Sequence, residues 1–144
     1  MPIFFDHGKS ILYIHIPKTG GTSVETILTK NGFKSSFRFR GFHPKDLTFI
    51  KCSPQHFHAE LISRLFYVEH FDKVFTIVRD PFERIKSEYY WQRHLKILNK
   101  RPTEWLRSMF REYETNPYIF DNHIRPQVDF IVEQSKIFKL EEDG

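Results

Sequence analysis

A buried-strand pattern that leads directly into a glycine-containing turn and then a helix is the feature that most limits how this chain folds. Residues 11–16, ILYIHI, form a nearly continuous apolar run with β-branched and aromatic side chains, which predicts a strand buried on both faces. The segment PKTGGTS follows at 17–23, and apolar residues then recur at helical spacing up to the stop signal at Asn31 and Gly32. This part of the chain therefore predicts a strand, a glycine turn and a helix.

Further strand patterns extend this arrangement along the chain. They are predicted at residues 47–52 (LTFIKC), 74–78 (VFTIV) and 136–140 (KIFKL). Strands that alternate with helical patterns predict an α/β fold, with a mainly parallel sheet and helices on both faces in three layers. Because such sheets bind ligands outside the carboxyl ends of their strands, we expect the site in the turns that follow the strands.

Length and composition place the chain in a broad class. The 144 residues predict a single domain spanning 1–144, and a content of 40% hydrophobic and 28% charged residues is typical of a globular protein. The net charge of +4 favours anionic ligands, and one cysteine, Cys52, excludes an intrachain disulfide. No apolar run reaches the ~18 residues of a membrane span, and no signal peptide is visible. We therefore expect a soluble, cytoplasmic protein.

The turn after the first strand has the residues of an anion-binding loop. Gly20 and Gly21 let the backbone turn tightly and approach a ligand. The helix start offers free N–H groups and the positive end of its dipole, Lys18 adds a charge, and Thr22 and Ser23 add hydroxyls. Because the lysine precedes the glycines, the loop departs from the GxxxxGK(S/T) pattern of magnesium-dependent kinases and ATPases. The sequence therefore predicts a phosphate- or sulfate-binding loop of another kind.

The turn after residues 74–78 predicts a second anion site. Arg79 stands at the strand end, Asp80 is an N-cap followed by proline, and Ser87 lies seven residues after the cap, close to two helical turns. A guanidinium fork and a hydroxyl on one face suit a phosphate. Arg84 is expected to be a surface or structural residue. Two anion sites at neighbouring strand ends suit a ligand with phosphates at both ends.

These two turns resemble the cofactor motifs of a known enzyme family. IHIPKTGGTS and FTIVRDPFERIKSEY are similar to the phosphate motifs of sulfotransferases that use 3′-phosphoadenosine 5′-phosphosulfate. CSPQHFHA and DNHIRPQVDFI resemble segments of the carbohydrate-type branch, sulfotransferase family 2. The resemblance covers most of the chain in the right order and implies the P-loop-nucleotide-hydrolase-like sulfotransferase fold. Relatives usually continue with more helix, so it also implies either a compact form or a missing C-terminal helical segment.

The resemblance implies roles for individual residues. It assigns binding of the 3′-phosphate to Arg79 and Ser87. Lys18 also stabilises the leaving oxygen when an acceptor hydroxyl attacks sulfur in line and adenosine 3′,5′-bisphosphate departs. No metal is expected, because a sulfuryl group carries less charge than a phosphoryl group. The resemblance assigns binding of the 5′-phosphosulfate to residues of the glycine turn, namely Lys18, Thr19, Gly20, Gly21, Thr22 and Ser23.

A histidine is expected to take the proton of the acceptor, and His56 is the first choice. The sequence predicts it in the first turn of a helix, where the positive helix end keeps an imidazole neutral. His58 lies ~200° further around that helix and is expected to point elsewhere. The next candidates are His58, His123 and Glu25, although Glu25 has capping-box spacing from Thr22, which we favour. His15, inside the first strand, is expected to be structural.

The acceptor is predicted to be a hydroxyl group, on a carbohydrate by the resemblance of DNHIRPQ. Its candidate binding residues are His58, His123, Arg125 and Gln127. Two alternatives stay open: a nucleotide-binding but inactive sulfotransferase-like protein, and a P-loop small-molecule kinase. A nucleic-acid partner is not expected, because the basic residues are scattered rather than clustered. The sequence does not constrain the oligomeric state.

Overall fold

The computed structural model describes residues 1–38 and 50–143. Within these residues the chain forms one five-stranded sheet and five α-helices. The strands are β1 (Ile3–Asp6), β2 (Lys9–Ile14), β3 (Lys34–Ser36), β4 (Lys73–Val78) and β5 (Lys136–Lys139). The helices are α1 (Gly21–Lys30), α2 (Ala59–Leu65), α3 (Pro81–His94), α4 (Pro102–Thr115) and α5 (Leu140–Asp143). Single turns of 3-10 helix lie at Pro54–His56, Val68–His70 and Gln127–Phe130.

The sheet is mainly parallel, as the sequence predicts. Its strand order is β3-β1-β2-β4-β5. The β2–β4 and β4–β5 pairs are parallel, whereas β1 is antiparallel to both β2 and β3. Four of the five strands therefore run in one direction, and the α/β class is confirmed.

The β1–β2 hairpin is an element that the sequence did not reveal. Asp6 pairs with Lys9 across a two-residue loop. The loop residues His7 and Gly8 have φ of 43° and 80°, as a type I′ turn requires. Histidine at the first loop position lacks the Asn-Gly or Asp-Gly signature by which such turns are usually detected, so this strand pair was missed.

The strand predicted at 47–52 is wrong for its described part. Residues 47–49 lie outside the described residues, and residues 50–52 form a bend rather than a strand. Both edges of β2 are already occupied, by β1 on one side and β4 on the other. Ile50 and Cys52 instead join an apolar cluster with residues of β2. Their hydrophobicity is therefore explained by packing without strand pairing.

Apolar side chains pack on both faces of the sheet because side chains alternate along a strand. Leu12 and Ile14 of β2 lie in one cluster with Ile62 of α2. Tyr13 lies in a separate cluster, against which Val24 of α1 packs. The central strands are thus buried on both sides, which is the arrangement that a continuous apolar run predicts.

The parallel pairing fixes where a ligand can meet the sheet. Because β2 and β4 run in the same direction, the chain leaves both strands at the same edge. The glycine turn follows β2 there, and Arg79 follows β4. Among the helices in the described residues, none has the length and apolar character needed to cross a membrane.

Candidate active site

A pocket of about 540 Å³ opens at this edge of the sheet, a size in the range of ~300–1,000 Å³ that is usual for small-ligand sites. It contains residues of both predicted anion sites together with three histidines. Its lining residues are His15, Pro17, Lys18, Gly20, Gly21, Thr22, Ser23, Gln55, His56, Arg79, Ser87, Trp91, His123 and Leu140.

The start of α1 forms one wall of the pocket. Gly20 is the N-cap residue with φ of 85°, a left-handed conformation that favours glycine. No side chain caps this helix. Ser23 N donates to the carbonyl of Gly20 at 2.9 Å, whereas the N–H groups of Gly21 and Thr22 have no partner among the described residues and suit an anion. The capping box predicted for Thr22 and Glu25 is therefore wrong, because Thr22 is already inside the helix and Glu25 is buried with other partners.

Glu25 and His15 form a buried pair behind the glycine turn. The carboxylate of Glu25 accepts hydrogen bonds from His15 Nδ1 at 2.9 Å, Gln55 Nε2 at 2.9 Å and Arg38 Nε at 2.9 Å. Burial raises the pKa of Glu25, but the hydrogen bonds and charges of His15 and Arg38 outweigh it, and the pKa is lowered. His15 is packed, as the sequence predicts, but it follows β2 rather than lying inside it, because the strand ends at Ile14. Its ring lies against Gly21.

We expect Gly21→Ala to destabilise the protein by about 2 kcal/mol, the cost typical of overpacking. A Cβ at Gly21 would lie 2.1 Å from His15 Nε2, and the buried ring is held in place by Glu25. Backbone strain is not the reason, because φ of Gly21 is not in the left-handed range. Urea unfolding measures the change, with Ser23→Ala in the same turn as the control. Equal stability of Gly21→Ala and the parent chain would contradict this packing.

Arg79 and Lys18 bring two positive charges to the pocket. Burial and the charge of Arg79 lower the pKa of Lys18. Arg79 Nη1 donates to the carbonyl of Lys18 at 3.4 Å, and Lys18 Nζ lies 4.5 Å from the ring centroid of Trp91. Since an anion between two cations relieves their repulsion, this half of the pocket favours a phosphate or sulfate group. Ser87 lines the same pocket from α3.

Asp80 and Gln127 hold the backbone that carries Arg79. Asp80 caps α3 by accepting from the N–H of Glu83 at 2.9 Å, so the predicted N-cap is confirmed. Gln127 accepts from Arg79 N at 2.9 Å and donates to Arg79 O at 2.7 Å. The position of Arg79 is thereby fixed from both sides of its peptide unit.

His56, which also lines the pocket, forms a dyad with Asp121. His56 Nδ1 donates to Asp121 Oδ2 at 2.8 Å, and Ser53 Oγ donates to the same oxygen at 2.6 Å. Burial lowers the pKa of His56 to about 4, although the bond to Asp121 opposes this. The imidazole is therefore neutral near pH 7, with the lone pair on Nε2. An arrangement of this kind can accept a proton from a hydroxyl.

The predicted reason for the neutrality of His56 is wrong. His56 ends the 3-10 turn Pro54–His56, and the α-helix α2 begins only at Ala59. His56 is therefore not in the first turn of an α-helix, and the dipole expected from that position does not set the charge of the ring. Desolvation in the pocket wall has the same effect on the pKa.

Comparison with known protein families is consistent with this geometry. A family model described as the sulfotransferase family matches residues 1–141. The chain belongs to the sulfotransferase family. Neither the curated proteins nor the solved structures contain a match to it. Family membership supports sulfuryl transfer to a hydroxyl-bearing acceptor as the general activity.

Four residues that the resemblance assigned to ligands lie outside the pocket of this sulfotransferase. Thr19 is fully buried and its hydroxyl donates to Ile16 O at 2.8 Å. His58 is buried beside the ring of Tyr118, with 5.7 Å between ring centroids. Gln127 holds Arg79, as described. The acceptor roles of His58, Arg125 and Gln127 stay predictions that this placement does not favour.

Arg125 and Arg84 bind groups of the protein itself and do not line the pocket. Arg125 donates to Asn122 Oδ1 at 3.0 Å, and Asn122 Nδ2 donates to the carbonyl of His56 at 2.9 Å. Arg84 is buried and donates to the carbonyls of Pro17, His123 and Arg125 at 2.9, 2.7 and 3.0 Å. Burial lowers the pKa of Arg84 to about 10, so it stays charged near pH 7. Both arginines therefore position segments that line the pocket.

Three residues in or next to the pocket of the sulfotransferase, Trp91, Asp121 and Glu88, were not among the predicted site residues. Trp91 lies four residues after Ser87 on α3, and this spacing places both on one helix face, so it was detectable. Asp121 belongs to the quoted DNHIRPQ segment, but only the structure shows that it faces His56 across 65 positions of sequence. No local pattern signals Glu88, which is one of many charged residues on α3.

Proposed function

We propose that this sulfotransferase moves the sulfuryl group of 3′-phosphoadenosine 5′-phosphosulfate to a hydroxyl group of a carbohydrate, with His56 as the general base. The observation that carries the proposal is the division of one pocket into two chemically different walls. One wall holds an uncapped helix start with Lys18 and Arg79, and the other holds a neutral imidazole whose Nδ1 is bonded to Asp121.

The residues of the first wall fit a donor with phosphates at both ends. Lys18 and the N–H groups at the start of α1 are suited to the 5′-phosphosulfate, and Arg79 with Ser87 to the 3′-phosphate. Lys18 follows β2 and Arg79 follows β4, so the two side chains can each hold one anionic group at the same time. We also infer the three-layer, P-loop-nucleotide-hydrolase-like arrangement, because α1 and α2 pack against different clusters of the sheet.

The proposed reaction uses the two walls in one step. When bound, the donor supplies the sulfuryl group, and its bond from sulfur to the bridging phosphate oxygen breaks as the acceptor oxygen bonds to sulfur. His56 Nε2 accepts the hydroxyl proton, and Asp121 stabilises the resulting imidazolium. Lys18 and the helix start stabilise the negative charge that develops on the departing phosphate. The products are a sulfate ester and adenosine 3′,5′-bisphosphate.

The carbohydrate acceptor rests on the resemblance of DNHIRPQ and on the character of the second wall. His56, His123 and Gln55 line this wall. Polar groups of this kind pair with sugar hydroxyls, whereas the flat apolar ring of a phenol or a steroid would leave them without partners. We therefore favour a carbohydrate over an aromatic acceptor.

We expect Arg79→Ala to weaken binding of adenosine 3′,5′-bisphosphate by about 10- to 100-fold, as loss of a charged hydrogen bond predicts. Ser87→Ala is expected to weaken it by about 3- to 10-fold. Neither change should alter the affinity for adenosine 5′-phosphosulfate by more than about 3-fold, because that nucleotide lacks the 3′-phosphate. Isothermal titration calorimetry without added metal measures both affinities.

The exposed residue Lys86 of α3 offers a matched control for this experiment, because its ammonium pairs with Glu83 outside the pocket. Lys86→Ala should leave both affinities unchanged. If the parent protein binds nucleotides with and without the 3′-phosphate equally well, the assignment of Arg79 and Ser87 is wrong. Stronger binding of ATP than of the bisphosphate would favour the kinase alternative.

A further inference from the structure

Glu88 is a buried carboxylate next to the pocket that the proposed reaction does not use. Its residue is 2% exposed. Glu88 Oε2 accepts from His123 Nδ1 at 2.7 Å, and Glu88 Oε1 accepts from Gln92 Nε2 at 2.8 Å. Gln92 Oε1 in turn accepts from Trp105 Nε1 of α4 at 3.0 Å. Both carboxylate oxygens thus have partners, and the chain of bonds fixes the ring of His123 from behind.

His123 is therefore a second oriented imidazole in the pocket. Because Nδ1 donates to Glu88, the lone pair lies on Nε2 in the neutral ring. The ring lines the pocket, and its centroid is 4.9 Å from that of His56. Within the described part of the chain, Nε2 of neither ring has a hydrogen-bond partner. Arg84 also holds the carbonyl of His123, so backbone and side chain are both fixed.

His15, the third histidine of the pocket, differs from His56 and His123 in the surroundings of its Nε2 atom. Its Nδ1 is bonded to Glu25, and its Nε2 end lies where a Cβ of Gly21 would be. His15 as a whole residue is 6% exposed, and its ring is packed against the glycine turn. His56 and His123 are therefore the pocket histidines whose Nε2 has no partner among the described residues and is not packed against the glycine turn.

Two adjacent imidazoles that each offer a lone pair require two hydrogen-bond donors. We propose that His123 accepts a hydrogen bond from the hydroxyl next to the one that is sulfated, so that the acceptors of this enzyme are vicinal diols. Glu88 is the positioning residue that fixes the tautomer of His123. An acceptor with one isolated hydroxyl would satisfy His56 but leave His123 without a partner once water is displaced. The inference rests on the proposed function and narrows its substrate class.

The test compares two small acceptors that differ by one hydroxyl. We measure transfer of radiolabelled sulfate from the donor to cis-1,2-cyclohexanediol and to cyclohexanol, next to a panel of glycans. The parent protein is expected to favour the diol by about 10- to 100-fold in kcat/KM, as the cost of an unsatisfied polar group predicts. His123→Ala should remove most of this preference by slowing the diol reaction, with a smaller effect on cyclohexanol.

A second readout tests Glu88 independently of turnover. In the parent protein, ¹⁵N NMR of the imidazoles should show His123 with hydrogen on Nδ1 only. Glu88→Gln removes the carboxylate at nearly constant volume, and we expect a mixture of His123 tautomers and a smaller diol preference. His70→Ala, at an exposed histidine outside the pocket, should leave both readouts unchanged.

The outcomes separate this inference from the proposed function. Sulfation of glycans with equal kcat/KM for the diol and cyclohexanol would overturn the inference alone, as would an unchanged preference in His123→Ala. An absence of sulfate transfer to every acceptor, glycans included, would overturn the proposed function and the inference with it.

Discussion

Replacing His56 by alanine should lower kcat for sulfate transfer by ~10²- to 10⁴-fold, the range typical of removing a general base. Binding of adenosine 3′,5′-bisphosphate should stay within about 3-fold of the parent value, because the nucleotide phosphates are assigned to other residues of the pocket. The expectation follows from the neutral ring, the bond from Nδ1 to Asp121 and the free Nε2 in the pocket. Transfer kinetics with radiolabelled sulfate, combined with calorimetry, separate the two quantities.

Asp121→Asn tests the orientation of the same ring. An amide can donate to Nδ1 and so select the tautomer whose Nε2 carries hydrogen and cannot accept a proton. We expect kcat to fall by ~10²-fold or more. His70→Ala serves as the control with near-normal kinetics. Near-normal turnover of His56→Ala would move the base to another residue, and His123 with its partner Glu88 would then be the first candidate.

The pH dependence of kcat/KM provides a further check on His56. Protonation removes its ability to act as a base, so activity is lost as the pH falls through its pKa. Since burial lowers this pKa to about 4, kcat/KM should stay level down to about pH 6. If the base were a histidine with an ordinary pKa, kcat/KM would already have fallen by half near pH 6.5. A midpoint near that ordinary value would show that the base is not the buried ring of His56.

Removing the charge of Lys18 should lower kcat by ~10²- to 10³-fold, in line with the loss of one preorganised donor at a developing oxyanion. Binding of adenosine 3′,5′-bisphosphate should weaken by less than about 10-fold. The reason is that the ammonium of Lys18 interacts more strongly with the leaving oxygen in the transition state than with the phosphate in the ground state. Lys18→Met is the preferred variant, since it retains the aliphatic stem beside Trp91. Steady-state kinetics and calorimetry on the same preparation measure the two effects.

Two features make the Lys18 experiment specific. Lys18 has φ of 67°, and methionine, which is unbranched at Cβ like lysine, carries a similar backbone cost there, so the comparison isolates the ammonium group. Lys30→Ala, at the exposed end of α1, is the control. Equal losses in kcat and in nucleotide affinity would mean that Lys18 stabilises the bound donor and the transition state equally, and that it has no special effect on the leaving oxygen.

The site at the sheet edge was predictable because its signals are local. The buried runs that became β2 and β4, the glycine turn and the N-cap at Asp80 each occupy a short stretch of sequence. Parallel pairing then brings the ends of the two strands together, which is a general property of such sheets. For this reason Lys18, Arg79 and Ser87 could be placed in one pocket before the structure was known.

Features that depend on distant partners were not predictable in this way. The apolar character of residues 50–52 indicates burial, but whether such a segment pairs as a strand depends on which edges of the sheet are free. Glu25 has the spacing of a capping residue, yet its partners Arg38 and Gln55 lie 13 and 30 positions away. The charge state of His56 likewise follows from burial and from Asp121, neither of which is visible in the segment around it.

The decisive measurement is transfer of radiolabelled sulfate from 3′-phosphoadenosine 5′-phosphosulfate to a panel of glycans, phenols and peptides, without added metal. We expect labelled sulfate ester on a glycan and release of adenosine 3′,5′-bisphosphate, with both lost in His56→Ala although this variant still binds the bisphosphate. No transfer to any acceptor by protein that binds the bisphosphate would contradict the account, and so would transfer that persists at the parent rate in His56→Ala.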